Sequence, residues 1–343
     1  MTIWILPAAA ALVSYGLCRV LAHPRLGLRV LDRPGARSLH DRPTPRTGGI
    51  AILAALVATA GTARATPLPI WLDAWVMAGA ALLAVVSFVD DVRSLGPALR
   101  LPMHVAAVAL LLAGGYGLSA VHVPGDGLLS LGPVGQVIAL LFGIWMCNLY
   151  NFMDGMDGFA GGMGGIGFAA LGTLGLQAGR ADFALAAFLV AGANLGFLGV
   201  NFPPARIFMG DVGSVPMGFL AAAFSLAGVR MGVSALWVPV LVFSPFIVDA
   251  TVTLIRRLLR GERVWQAHRS HYYQRLVLLG WGHRKTVIAG YAIMLSTAAT
   301  AIAFGQGASR GWELAAVLGW ALAYLVIALL IHHLERRRRV NAS

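Results

Sequence analysis

Apolar runs of roughly 17 to 25 residues, the length that crosses a hydrocarbon layer as a helix, recur along this chain with short polar stretches between them. They fall near 2–22, 48–63, 71–90, 101–119, 133–150, 159–177, 181–200, 213–230, 233–256, 286–305 and 311–333. The pattern predicts an all-α, polytopic integral membrane protein with about eleven transmembrane helices. No internal repeat divides it, so residues 1–335 read as a single transmembrane catalytic domain and 336–343 as a basic cytoplasmic tail. The first run has no basic segment before it and positive charge after it, so it reads as a retained span with its N-terminus exported, not as a cleaved signal peptide. The sixth run is rich in Gly, from Gly161 to Gly175. That spacing predicts close helix packing, not a phosphate loop.

Composition sharpens this picture: 58% of the 343 residues are hydrophobic and 12% charged, against about 25% charged in ordinary soluble domains. The net charge of +12 would suit nucleic acid, but its location argues otherwise. When the spans are threaded alternately, 22 of the 26 Lys and Arg residues fall on one side; only Arg64, Arg180, Arg230 and Arg310 fall on the other. The positive-inside rule then predicts a cytoplasmic rich side, an N-terminus outside and a C-terminus in the cytoplasm. The basic excess is thereby explained by topology and attraction to anionic membrane lipids, and a nucleic-acid partner is excluded for want of a basic groove interleaved with aromatics. Cys18 and Cys147 both lie in apolar segments, so no disulfide framework is expected.

The acids carry the chemistry. A carboxylate at the centre of a bilayer costs roughly 2.5–3.5 kcal/mol on insertion scales, so acids at span ends need a reason. In the segment Asn148 to Gly158, Asp154 and Asp157 are each followed by Gly, and Asn148 and Asn151 add amide donors and acceptors. Asp90 and Asp91 end the third run, where acids oppose the helix dipole; about 100° apart on a helix, they can face different partners. Asp211 precedes Gly213 and Ser214 at the start of the eighth run, which fits either an anion-site residue or a plain helix cap. In the charge-based topology all three clusters share one face. Arg37, Arg42 and Arg46, in a Pro-broken loop closed by Gly48 and Gly49, offer guanidinium forks to phosphate. The loop from Arg256 to Lys285 adds His268, Arg269, His271 and Arg275; a zinc site is weak there for lack of a third ligand, and phosphate or sugar contact fits better. Carboxylates and arginines together at a membrane surface suit a Mg2+-assisted phosphoryl transfer.

Asp90-Asp91, the Asn148 to Gly158 segment, Phe208-Met-Gly-Asp-Val-Gly-Ser214 and Pro43-Thr-Pro-Arg-Thr-Gly-Gly49 together resemble the polyprenyl-phosphate N-acetylhexosamine-1-phosphate transferases, over about residues 30 to 285. The likeness is to the O-antigen-initiating bacterial type more than to the peptidoglycan-precursor enzyme. It implies attack by undecaprenyl phosphate on the sugar-bearing phosphorus of a UDP-N-acetylhexosamine, giving the lipid-diphospho-sugar and UMP with Mg2+, or Mn2+ in its place. It also implies a bacterial cytoplasmic membrane, with a homodimer allowed. The family's paired Asp motif maps onto Asp90 and Asp91, for the lipid phosphate and its proton. Its metal ligand maps onto Asp211, and its nucleotide-side residues onto Asn151, Asp154, Asp157, Asn201 and Phe208, the last for uracil stacking. Asn148 and Arg46 join the substrate set, with His268, Arg269 and Arg275, and His271 stands at the first histidine of the family's histidine-rich motif. Tyr273 and Gln274 replace later histidines.

Two other classes fit the pattern less well. A secondary transporter would place its acids near the midplane on broken, repeated helices, and these cluster at one face. A CDP-alcohol phosphotransferase would concentrate several Asp in one fixed motif, which Asp154 to Asp211 do not supply. Because diphosphate, uridine and metal are common to every UDP-sugar, sugar choice is expected from the 256–285 loop, through Trp265, Tyr272, Tyr273, His271, Arg269 and Gln274.

Overall fold

The computed structural model describes residues 2–23, 30–35, 39–93, 95–264, 266, 268–305 and 307–340. A turn at Thr2–Trp4 leads into α1 (Ile5–Leu21), then a ribbon of β1 (Leu31–Asp32) and β2 (Thr44–Pro45), then α2 (Gly48–Arg64), α3 (Ala74–Arg93) and α4 (Pro97–Ala113). A second ribbon, β3 (Ala120–Val123) with β4 (Gly127–Ser130), precedes α5 (Val134–Phe152), α6 (Phe159–Gln177), α7 (Ala181–Asn201) and α8 (Asp211–Arg230). The remaining elements are α9 (Trp237–Val242), α10 (Ser244–Leu259), α11 (Tyr272–Leu276), a π-type turn at Val277–Trp281, α12 (Gly282–Phe304) and α13 (Arg310–Val340).

Among the described residues seven helical segments are long and apolar enough to cross a membrane: α3, α5, α6, α7, α8, the α11–α12 unit and α13. Three shorter apolar helices, α1, α2 and α4, join them. The protein is an all-α, polytopic membrane protein with two minor β ribbons. Two expected spans take a different form. The run at 233–256 is split at Phe243, because Pro245 has no amide to donate and its ring clashes with the preceding turn, so α10 starts afresh with Pro245 in its first turn. The run expected at 101–119 ends at Ala113: Gly115 adopts φ 84°, and the chain then turns into the second ribbon.

α8 is buried along nearly its whole length, whereas α13 has few fully buried residues. Against α8 pack α3 and α5; α7 pairs with α6 and α1. The glycines of α6 set its spacing from α7. A Cβ on Gly164 would stand 2.4 Å from Asn194 Oδ1 of α7, and one on Gly172 2.6 Å from the Phe188 ring. Small residues on α6 therefore let side chains of α7 seat directly against its backbone, the close helix packing the sequence predicts.

A second close approach decides where the chemistry sits. A Cβ on Gly49, in the first turn of α2, would lie 2.3 Å from Gly213 Cα of α8. Backbone bonds reinforce the crossing: Phe208 N donates to Pro45 O at 2.7 Å, Gly48 N to Phe208 O at 2.9 Å and Gly49 N to Met209 O at 2.8 Å. The strap that carries Arg46 is thus sewn to the strap that carries Asp211.

Candidate active site

Where α3, α5, α7 end and α8 begins, the chain encloses a cavity of about 570 Å³. Arg46, Asp91, Asp154, Asp157, Asn201, Phe208 and Asp211 all line it, joined by Asp32, His40, Gln274 and His283. Four separate sequence motifs therefore meet on one wall. A neighbouring concavity of about 790 Å³ shares His40, Asp157, Phe208 and His283 with it and adds Arg42, Arg206 and Arg284.

Asp91 works in two directions. Its carboxylate accepts from the backbone amides of Asp211 (3.3 Å) and Val212 (2.9 Å), so it caps α8 from another helix. It also pairs with Arg46 Nε at 3.5 Å, and Arg46 Nη2 donates to the Asp91 carbonyl. Asp90, one position earlier, turns to Arg100 Nε at 2.6 Å and accepts from Leu95 N at 2.6 Å. The adjacent acids thus have separate partners, which their angular offset on the helix allows.

Asp211 is not the cap of its own helix. Gly210 holds the cap position at φ 74°, and the Asp211 side chain makes no capping bond. Its two oxygens face Asn151, which donates to Oδ1 at 2.8 Å, and Arg100, 3.4 Å from Oδ2. Asn151 also donates to Ser214 Oγ at 2.9 Å, fixing α5 to α8. Only glycine suits position 210: the backbone is left-handed, and a Cβ would sit 2.3 Å from the Arg46 carbonyl oxygen.

The loop between α5 and α6 brings the other two acids. Burial pushes the Asp154 carboxyl well above the usual carboxylate range, and the negative charges of Asp211, Asp91 and Asp32 add to this, with partial relief from the Gly210 amide. Burial also pushes Asp157 up. There, however, hydrogen bonds from His283 and the Ala205 amide, with the charges of His283 and His40, outweigh it and hold the group below its ordinary value. His283 Nδ1 lies 3.1 Å from Asp157, and Ala205 N donates to it at 3.0 Å. Asn201 accepts from Gly158 N and donates to the Ile207 carbonyl, both at 2.8 Å, tying this loop to the 202–210 strap. Phe208 meets the His40 ring edge-on at 4.9 Å.

Some sequence-predicted residues lie elsewhere. Asn148 is one turn inside α5, bonded to the Ile144 carbonyl and 3.2 Å from His104 Nδ1, and does not line the cavity. His271 is also off the wall. Its Nδ1 lies 3.2 Å from Asp249 of α10, and Asp249 accepts from the amides of Tyr272 (2.9 Å) and Tyr273 (3.1 Å), so the pair secures the start of α11. His268 packs its ring 4.8 Å from that of His271, and burial with the nearby positive charge pushes it down to about 4. Arg275, expected to touch substrate, is instead held bidentately by Glu335 of α13 at 2.6 Å on both arms. Arg269 opens into a separate small concavity. Of the 256–285 loop, the cavity wall takes Gln274 and His283; Trp265 lies outside the described residues.

Arg100, His40, His283 and Asp249 were not singled out from the sequence. Arg100 carried a usable signal, since a lone cation in the first turn of a helix opposes the dipole unless an anion faces it. Asp249 carried one as well, as an acid inside an apolar run; His40 and His283 carried none, because their partners Phe208 and Asp157 come from loops far along the chain.

No cluster of three His, Cys, Asp or Glu side chains able to hold a metal alone occurs among the described residues. The oxygen donors of Asp211, Asp91 and Asp154 nevertheless suit Mg2+, a hard cation that takes one or two carboxylates and completes its shell with water and substrate phosphates. The repulsion among these acids, which adds to the effect of burial on Asp154, is what such a cation would relieve.

The profile of glycosyl transferase family 4 matches residues 74–229. The decaprenyl-phosphate N-acetylglucosaminephosphotransferase of Mycolicibacterium smegmatis is 32% identical to this chain, over 95% of it and 87% of the relative. The chain belongs to glycosyl transferase family 4. Two further relatives of this family 4 transferase are similarly broad in coverage. The undecaprenyl-phosphate alpha-N-acetylglucosaminyl 1-phosphate transferase of Yersinia pestis is 29% identical over 90% of this chain and 84% of its own. The probable undecaprenyl-phosphate N-acetylglucosaminyl 1-phosphate transferase of Bacillus subtilis is 27% identical over 78% and 76%. The matched stretch runs from α3 through α8, so within family 4 terms it includes every acid on the cavity wall except Asp32, and leaves out Arg46 and the 256–285 loop.

Proposed function

We propose that this family 4 transferase moves N-acetylglucosamine 1-phosphate from UDP-N-acetylglucosamine to undecaprenyl or decaprenyl phosphate, releasing UMP and starting a cell-envelope glycan. The observation that carries the reading is the meeting of Arg46, Asp91, Asp154, Asp157 and Asp211 in one cavity at one end of the helix bundle. An oxygen of the lipid phosphate forms a bond to the sugar-bearing phosphorus, and the bond from that phosphorus to the oxygen of UMP breaks. The attacking phosphate is already ionised, so no strong base is needed, and the task is positioning and charge stabilisation. Arg46 and the arginines of the adjoining concavity hold the diphosphate. Phe208, edged by His40, offers a face for uracil, with Asn201 and the Asp157–His283 pair shaping that end. Asp90 acts through Arg100, which it orients towards Asp211. Asp211, braced by Asn151, is the residue we assign to Mg2+ or Mn2+, which when bound neutralises charge on the diphosphate. The reading puts the reaction at the cytoplasmic face of the membrane, where nucleotide sugars are made, and is supported by the cavity's lying on the arginine-rich side.

The test is release of UMP from UDP-N-acetylglucosamine with and without polyprenyl phosphate, using the wild type and Asp211→Asn. The wild type is expected to need both lipid and divalent cation. Asp211→Asn keeps the shape and the bond from Asn151 but loses the charge, and is expected to lower turnover at least a hundredfold, in the range seen when an electrostatic stabiliser is removed. Near-normal turnover by the variant would return Asp211 to a packing role, and UMP release without lipid would sink the transfer reading.

A further inference from the structure

Beside the catalytic cavity, on the far side of α11, a second pair of concavities shares one wall. An apolar groove of about 440 Å³ runs between α10, α12 and α13, floored by residues such as Val252, Ile293, Tyr324, Ala328 and Ile331. One helical turn nearer the arginine-rich end, the same two helices line a polar pocket of about 330 Å³: Val252 is followed by Arg256, Ala328 by His332 and Ile331 by Glu335. Tyr272 is the boundary. Its ring belongs to the groove, and the guanidinium groups of Arg256 and Arg275 lie 5.3 and 4.7 Å from its centre on the pocket side.

The pocket has an unbalanced charge. Arg256, Arg260, Arg269, Arg275 and Arg336 line it against the single carboxylate Glu335, which is taken up bidentately by Arg275. Arg275 is only 8% exposed, and its Nη1 has no hydrogen-bond partner; neither has Arg256 Nε. A buried guanidinium donor without an acceptor is costly. Arg260, Arg269 and Arg336 reach water, as the positive-inside rule alone would have them, but Arg256 and Arg275 turn inward and keep donors unfilled.

We propose that the α10–α12–α13 face binds one anionic glycerophospholipid of the cytoplasmic leaflet, its phosphate in the arginine pocket and an acyl chain in the groove. Fork-shaped guanidinium donors match phosphate oxygens, and an apolar channel opening at headgroup depth accepts the chain attached to them. The site is separate from the cavity that holds Asp211, and the proposal does not depend on the transfer reaction.

The experiment is lipid retention by the whole chain after transfer to detergent from bilayers of mixed phosphatidylcholine and phosphatidylglycerol, read by native mass spectrometry. The wild type is expected to keep one phosphatidylglycerol in preference to phosphatidylcholine. Equal retention of the two overturns the proposal and requires no variant to fold. Replacing three arginines, in Arg256→Gln, Arg260→Gln and Arg336→Gln together, is expected to weaken retention about fivefold for each, roughly a hundredfold in all. Ala328→Phe fills the groove and is expected to weaken retention with the arginines intact. Unchanged retention in a folded triple variant overturns the headgroup assignment. Displacement by millimolar inorganic phosphate assigns the pocket to a free anion. One-for-one displacement by polyprenyl phosphate, with phosphatidylglycerol competing against it in turnover, assigns the groove to the acceptor; either displacement overturns the proposal.

Discussion

At the start of α8 a carboxylate from a neighbouring helix fills the place of a side-chain cap, Asp91 taking the amides of residues 211 and 212; at the start of α11 Asp249 takes those of 272 and 273 beside the helix's own capping box of His271 and Gln274. The consequence at α8 is chemical, because Asp211 is left free to face the cavity. At α11 it is geometric, because the capped turn presents Gln274 to the same cavity while His271 faces away. Gln274 Oε1 accepts from His271 N at 3.3 Å, leaving its amide nitrogen beside Gly155 and available to a substrate oxygen. We therefore expect Gln274→Ala to change the ratio of kcat/KM between UDP-N-acetylglucosamine and its 4-epimer by about tenfold, as loss of one substrate hydrogen bond does. Arg269→Ala should lower neither donor selectively. Equal loss of both donors in Gln274→Ala would assign that residue to folding of the loop.

Among the elements, the crossing of α2 over α8 matters most to the site, since it brings Arg46 to Asp91 and depends on two glycines in contact. Gly49→Val would drive α2 off α8, and overpacking of this kind costs about 1–3 kcal/mol. The expected result is a lower thermal midpoint and a loss of turnover larger than the loss of folded protein, because the arginine is displaced even in molecules that fold. Gly16 supplies the control: a Cβ there meets nothing within 4 Å, so Gly16→Val on the exposed side of α1 should leave both measurements near wild type. The break between α9 and α10 is a comparable device, and it was visible in advance only as Pro239 and Pro245 in an apolar run. Periodicity and hydropathy do not register a missing amide.

For the molecule as a whole, the arginine asymmetry and the gathering of acids at one end make a single claim about orientation. Single cysteines in a background lacking Cys18 and Cys147 test it. Ser119, exposed beside the second ribbon, and Asp41, exposed beside the cavity, lie at opposite ends of the bundle and should label from opposite sides of the membrane. Labelling of both from outside the cell would separate the cavity from its nucleotide donor and remove the basis for the proposed reaction.

The sequence by itself determined the class of the protein, the approximate limits of most helices and the gathering of the acids at one end of the bundle. Those properties are local or additive: a run of apolar residues is a span wherever it packs, and arginines sort by side without regard to neighbours. Asp90, Asp91, Asp154, Asp157 and Asp211 were conspicuous for the same reason, as charges where charge is costly. What each acid does was decided only by the tertiary structure. Whether Asp211 caps α8 or faces a ligand depends on Asp91, 120 positions earlier in the chain. Whether Arg275 meets substrate or Glu335 depends on α13, 60 positions later. His271 and Arg275 look like site residues by type and spacing, yet cross-helix contacts turn them away, and the same contacts bring in Arg100 and His283. Partner choice is a matter of distances between helices, and these were set by where glycines let backbones touch, a property of two surfaces that no single stretch of chain contains.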